Sequence, residues 1–182
     1  MAYNIDTLLQ MEANWMSSDF VFFWGHTDRG EGLTKACLSQ WFDCEFEVEG
    51  VLYHTAEQYM MAQKALLFGD HATHARIMAA DEPKVIKALG REIVGFEQAM
   101  WDENKYRIVM NGNVAKFSQN EHLKAFLMET GEAVLAEASP YDGIWGICLT
   151  MDDPQAKEPE RWQGENLLGF ALMEVRDMIR GA

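Results

Sequence analysis

A chain of 182 residues, 48% hydrophobic and 12% aromatic, is long enough to bury a core of its own and too apolar to remain disordered. Its 15 basic and 29 acidic side chains leave a net charge of -14, which repels polyanions at long range and confines any nucleic-acid contact to a local basic rim. Three cysteines without C-x-x-C spacing (Cys37, Cys44 and Cys148) argue against a disulfide framework or a zinc ribbon. No apolar run reaches the ~18 residues of a membrane span, and Asp6 and Glu12 stand where a secretory signal would be basic and then apolar, so a cytoplasmic protein is expected.

In chain order, residues 4–17 have the pattern of a short amphipathic helix, and Val21 to Gly25 that of a buried strand. The Gly-containing stretch 26–41 is expected to be a loop. Phe42, Cys44, Phe46 and Val48 alternate with polar residues, and Glu49-Gly50 marks a turn between two short strands. A central helix begins with Thr55-Ala56-Glu57-Gln58, a capping box in which Thr55 accepts from the Gln58 amide, and ends with Gly69 at C′. Helical patterns follow at 71–80, 83–89, 97–117 and 121–129, punctuated by Pro83, Gly90, Gly95 and Gly131. Gly112, interior to the third of these, weakens a helix by about 1 kcal/mol relative to Ala and implies a bend or close packing. Residues 133–150 contain a strand, a turn and a second apolar run. A proline-bearing loop spans 151–166, and an amphipathic helix closes the chain.

The central helix carries the first chemical signal. Glu57 and Lys64 are seven positions apart, which at about 100° per residue returns the side chain to within roughly 20° of the same direction. They share a face of a helix otherwise wrapped in Tyr59, Met60, Met61, Ala62, Ala65, Leu66 and Leu67, and serve equally well as a structural ion pair or as site residues lining a cleft. A second acid, Asp142, sits in the turn Ser139-Pro140-Tyr141-Asp142 beside Trp145, where an Asx cap is the ordinary role. The indoles Trp24, Trp41, Trp101, Trp145 and Trp162 can sandwich a planar base or fill the core. His71 and His74 lack a third ligand at helical spacing, and the cysteines lack the electropositive setting of a nucleophile. No metal or cofactor is implied. A carboxylate, an amine, a second acid and several indoles suggest a pocket for a planar, phosphorylated ligand.

These residues resemble a known family, the NADAR or YbiA-like N-glycosidases, through six ordered blocks: CLSQWF (37–42), YHTAEQYMMAQKALLFGD (53–70), ALGREI (88–93) with Trp101, GNVAKF (112–117), EASPYDGIWGI (137–147) and WQGENLLGFALMEVR (162–176). The resemblance implies an α+β fold, a mainly helical single domain with a few short strands at 21–182, preceded by an N-terminal helical extension at 1–20. It implies hydrolysis of the N-glycosidic bond between a ribose and a nitrogenous base, in phosphorylated early riboflavin intermediates or in ADP-ribosylated guanine. Carried over block by block, Glu57, Lys64 and Asp142 correspond to catalytic residues, and Gln40, Trp41, Arg91, Trp101, Trp145, Gly146 and Asn166 to substrate-binding ones. Cys148 stands where the family pattern has Gly, and Gly143 where many relatives carry a basic residue.

Such chemistry needs the developing charge on ribose stabilised, the base protonated and water delivered to C1′. Glu57 is expected to stabilise the sugar cation or shuttle a proton, and Asp142 to orient water. Lys64 is either a Schiff-base nucleophile or a partner to an anionic group. The expected partner is a small ribosyl or ADP-ribosyl compound. ADP-ribosylated DNA requires a rim such as Lys84, Lys87 and Arg91, and a nucleotide-binding module without catalysis is a further reading.

Overall fold

The computed structural model describes residues 2–12, 20–27 and 32–182, and the fold is α+β, mainly helical with four short strands among those residues. Two compact units make up the chain: residues 40–121, which are contiguous, and residues 1–39 with 122–182. No helix among the described residues is long and apolar enough to cross a membrane.

The discontinuous unit is built on a parallel pair, β1 (Phe20–Phe23) and β4 (Val134–Glu137), in register Phe20↔Val134 to Phe23↔Glu137. Val134, Leu135 and Ala136 are fully buried, as expected of a strand covered on both faces. Helix α7 (Leu167–Arg180) packs along β4, so closely that a Cβ on Gly169 would lie 2.0 Å from the Leu135 carbonyl oxygen. Buried Arg176 fixes the other end, its Nη1 donating to Thr130 Oγ1 at 2.8 Å and to the Ala133 carbonyl at 2.9 Å. At the N-terminus, α1 (Ile5–Glu12) is capped reciprocally: Thr7 N donates to Asn4 Oδ1 at 2.7 Å, and Asn4 N to Thr7 Oγ1 at 2.9 Å. The expected helix at 4–17 is described from Ile5 to Glu12, and residues 13–17, Trp15 included, lie outside the described residues.

The contiguous unit opens with the hairpin β2 (Phe46–Val48) and β3 (Val51–Tyr53). Its two turn residues, Glu49 and Gly50, have φ of 53° and 80°, the positive values that a two-residue loop between twisted strands requires. Helix α2 (Ala56–Leu67) follows, with α3 (His71–Met78), α4 (Pro83–Glu92) and α5 (Gln98–Gln119) packed around it. Thr55 accepts from Gln58 N at 3.0 Å as expected, while the Gln58 side chain accepts from His54 N at 2.9 Å, one residue earlier than an ordinary capping box. The end of α5 grips the hairpin: Gln119 exchanges two hydrogen bonds, of 2.8 and 2.7 Å, with the main chain of Glu47. Helix α6 (Glu121–Glu129) leads back toward β4.

Two glycines have steric reasons that spacing does not reveal. Gly112 lies against the Tyr59 ring, where an added Cβ would meet Cδ1 at 2.5 Å, so close packing explains it. Gly90 was expected to end a helix at 89, yet α4 continues to Glu92, because Gly90 admits Met61, whose Sδ would lie 2.1 Å from a Cβ there. The expected loops are also more regular than anticipated: Lys35–Leu38 forms a 3-10 turn within 26–41, of which residues 28–31 lie outside the described residues. Pro154–Lys157 and Pro159–Arg161 form two more within 151–166, each opened by a proline whose missing N–H is not needed there.

Candidate functional site

In the contiguous unit, α2 presents Glu57 in its first turn and Lys64 in its last. Glu57 is 4% exposed, and its N–H donates to the Gln40 carbonyl at 2.9 Å, which ties the helix start to the segment carrying Gln40 and Trp41. Lys64 is half-buried. Its Nζ donates to the Gly90 carbonyl at 2.8 Å and lies 4.4 Å from the centre of the Phe96 ring and 5.3 Å from that of Trp101. Removal from water lowers the Lys64 pKa below its ordinary 10.5. The Glu57 charge opposes that shift and the Arg91 guanidinium adds to it. The interaction of Glu57 with Lys64 agrees with the shared face inferred from their spacing.

Trp101 is 8% exposed and stands in the first turn of α5, whereas Trp41 is partly buried with Lys87 Nζ 5.7 Å from its ring. Lys84, Lys87 and Arg91 follow one another at three and four residues on α4, on one side of that helix. Phe96 was missed by the sequence reading. It sits in the turn after Gly95, whose φ is 76°, rests on Phe68 with ring centres 5.2 Å apart, and is 39% exposed beside an amine. Asp70 holds this turn, its Oδ2 accepting from Val94 N at 2.9 Å and its Oδ1 from Thr73 N at 2.9 Å. These main-chain donors lower the Asp70 pKa to about 2. An aromatic residue directly after a turn glycine, IVGFE, was the available signal.

The remaining expected residues belong to the other unit. Asp142 performs the turn-capping role: its Oδ1 accepts from Ile144 N at 3.0 Å and Trp145 N at 2.8 Å. Gly146 is buried where a Cβ would lie 2.7 Å from the Glu137 carbonyl oxygen, so no side chain fits there. Asn166 is fully buried in the left-handed conformation, φ 53°, and both ends of its amide are engaged by β4: Nδ2 donates to Leu135 O at 3.0 Å and Oδ1 accepts from Glu137 N at 3.1 Å. Its observed contacts are those of a clamp between α7 and β4.

The two departures from the family pattern are neighbours. Cys148 adopts φ 56°, a conformation that favours Gly, and its Sγ would lie 3.4 Å from a Cβ on Gly143. The thiol therefore lies beside the place where a side chain at 143 would begin. Among the other indoles, Trp162 is core, 8% exposed with Nε1 donating to Ala156 O at 2.8 Å, whereas Trp24 is 51% exposed, edge-on to Tyr141, and not part of the buried strand expected at 21–25.

Comparison with known proteins adds a family and a fold. A family model described as the NADAR domain matches residues 22–180. N-glycosidase R617 of Acanthamoeba polyphaga mimivirus is 44% identical over 163 residues, 87% of this chain and 95% of that protein. N-glycosidase YbiA of Escherichia coli (strain K12) is 31% identical over 133 residues, 73% of this chain and 74% of that protein. The NMR structure of the E. coli protein YbiA superposes with a TM-score of 0.72 at 26% identity, over 91% of this chain and 87% of that one.

Proposed function

This chain belongs to the NADAR domain family, and from that premise we propose that it cleaves the bond between C1′ of a phosphorylated ribose and an exocyclic amine of a planar base, as in early riboflavin intermediates. It is an N-glycosidase, a hydrolase acting on N-glycosyl bonds. The observation that carries the finer reading is the desolvated amine of Lys64, framed by Phe96 and Trp101 on the helix face that also bears Glu57.

An N-glycoside to an exocyclic amine opens its sugar ring by moving a proton onto the ring oxygen, which leaves a C=N bond between C1′ and the base. The neutral Lys64 amine adds to C1′, Glu57 passes the protons that the lysine nitrogen loses to the base nitrogen, and the C1′–N bond to the base breaks, so that the base leaves as an amine and a lysine imine remains. Water then hydrolyses the lysine imine, releasing the sugar aldehyde and restoring the amine. Burial favours this role because it raises the fraction of uncharged lysine at neutral pH. Trp101 and Phe96 are assigned to the base, at about 1–3 kcal/mol per stacked ring. Arg91 and Lys87 are assigned to the phosphate. Asp142, whose Oδ1 accepts within its own turn, keeps a catalytic assignment on the family resemblance alone.

The test is borohydride reduction during turnover, followed by peptide mass analysis. A ribosyl adduct on Lys64 is expected, and substrate turnover without any adduct would return Lys64 to an electrostatic role. Glu57→Gln is expected to keep ligand binding and lose at least about 10²-fold in turnover. A second substrate reading, removal of ADP-ribose from guanine in nucleic acid, is favoured by the basic side of α4 in a chain of net charge -14. Parallel assays on ADP-ribosylated single-stranded DNA and on riboflavin intermediates separate the two. Tight ADP-ribose binding without release of base from either would favour a non-catalytic module.

A further inference from the structure

Gln40 and Asn113 are 8% and 0% exposed, and each has a buried polar atom without a hydrogen-bond partner among the described residues: Gln40 Nε2, a donor, and Asn113 Oδ1, an acceptor. Their orientation is determined by the main chain of α5. Asn113 Nδ2 donates to the Val109 carbonyl at 2.9 Å and to Gln40 Oε1 at 2.9 Å. Turning the Asn113 amide over would set its oxygen against the Val109 oxygen, acceptor to acceptor. Asn113 must therefore offer nitrogen, Gln40 must answer with oxygen, and the Gln40 N–H₂ is the end left over. Buried amide donors are rarely left unmade, and one that is asks for a partner.

The residue that carries this unused donor also supports the candidate acid. The main-chain oxygen of Gln40 accepts from Glu57 N at 2.9 Å, so Gln40 and the first turn of α2 meet at one junction. We propose that Gln40 Nε2 donates to an oxygen of the bound sugar, and that Asn113 is the positioning residue that keeps the donor end of Gln40 toward the ligand. The proposal rests on the reading that the ligand is a ribosyl compound. A site that donates to a sugar oxygen discriminates strongly against ligands that cannot accept there, because the donor is otherwise left unpaired.

Three variants test it, each sparing the main-chain bond to Glu57. Gln40→Glu keeps an oxygen for Asn113 and puts a second oxygen where the donor was. Asn113→Asp removes the inward donor, so Gln40 turns its nitrogen inward and its oxygen toward the ligand. Gln40→Met, neutral and of similar length, separates a lost donor from an added charge near a phosphate. Calorimetric titration with ribose 5-phosphate is expected to show Kd weakened about 10-fold in Gln40→Met and by more than that in the two acidic variants. KM for the glycoside should follow, with kcat within about 3-fold.

Unchanged Kd in folded Gln40→Met and Gln40→Glu would overturn the proposal, leaving the donor to an internal water, and these two variants decide the matter if Asn113→Asp does not fold. Wild-type protein that fails to bind ribose 5-phosphate would overturn it as well. Wild-type protein that binds ribose 5-phosphate yet releases no base from any glycoside would refute the hydrolytic reading alone, since the Kd comparison needs no turnover.

Discussion

Replacing Gly112 by alanine sets two effects against each other, and the structure says which wins. Helix propensity favours alanine by about 1 kcal/mol at this interior position of α5. The new Cβ, however, would lie 2.5 Å from Tyr59 Cδ1, 3.0 Å from Cε1 and 3.3 Å from Cγ, about 1 Å inside ordinary contact with an aromatic ring. Tyr59 is 4% exposed and hemmed in by Tyr53 and Phe46, with ring centres 5.0 and 6.1 Å away, so the ring has little room to retreat. Overpacking of this kind costs about 1–3 kcal/mol, and the strain here belongs in the upper part of that range. The net effect is a destabilisation of about 1–2 kcal/mol, a fall in Tm of roughly 2–8 °C for a chain of this size. Urea denaturation followed by tryptophan fluorescence, with the slope m unchanged, measures it. A Gly112→Ala protein as stable as wild type or more so would refute the claim that α5 needs glycine to approach α2.

Turnover is expected to rise with pH through the Lys64 pKa, which burial lowers from the ordinary 10.5, and to be abolished in Lys64→Arg, which stays charged; a pH-rate profile flat from pH 6 to 10 would contradict the nucleophile assignment. Asp70, lowered from 3.8 to about 2, contributes stability that is present above pH 3.8 and lost as pH falls toward 2; the Asp70→Asn variant should lose the part of the acid transition that lies in that interval, measured by urea midpoints at pH 6, 3 and 2. Asn166→Ala strips hydrogen bonds from the main chain of Leu135 and Glu137 and leaves alanine in the left-handed region, a loss of about 2–4 kcal/mol by thermal and chemical denaturation.

What was legible in the sequence was local. The Glu49-Gly50 turn, the Thr55 cap with its answering Gln58, the C′ glycine after α2 and the closing amphipathic helix are each set by a few neighbouring residues, and each appears in the structure. Gly90 misled because a glycine near the end of an apolar pattern looks like a terminator, while its reason lies in Met61, on another helix. The pairing of β1 with β4 is equally invisible, since strands of four residues bear no mark of their partner. In the candidate site, the spacing of Glu57 and Lys64 was readable from helical geometry, and their burial from the surrounding methionines. Asn113 was not singled out, although a polar residue on a helix face with Val109 and Phe117 is a signal in its own right. Asn166 could be found by motif only, because its clamp on β4 depends on a backbone conformation that no periodicity encodes.

The parallel register of Phe20–Phe23 on Val134–Glu137 also orders events during synthesis. The first strand leaves the ribosome about 110 residues ahead of its mate, roughly 5 to 20 s at ordinary elongation rates. Throughout that interval a sticky segment, Phe-Val-Phe-Phe, is available to other chains. Residues 40–121 form a contiguous unit whose internal contacts can be made meanwhile, and only afterwards does closing the long loop become worthwhile. Misassembly should therefore concentrate in nascent chains that stall before residue 134, with the helical insert already formed and its framing strand still waiting.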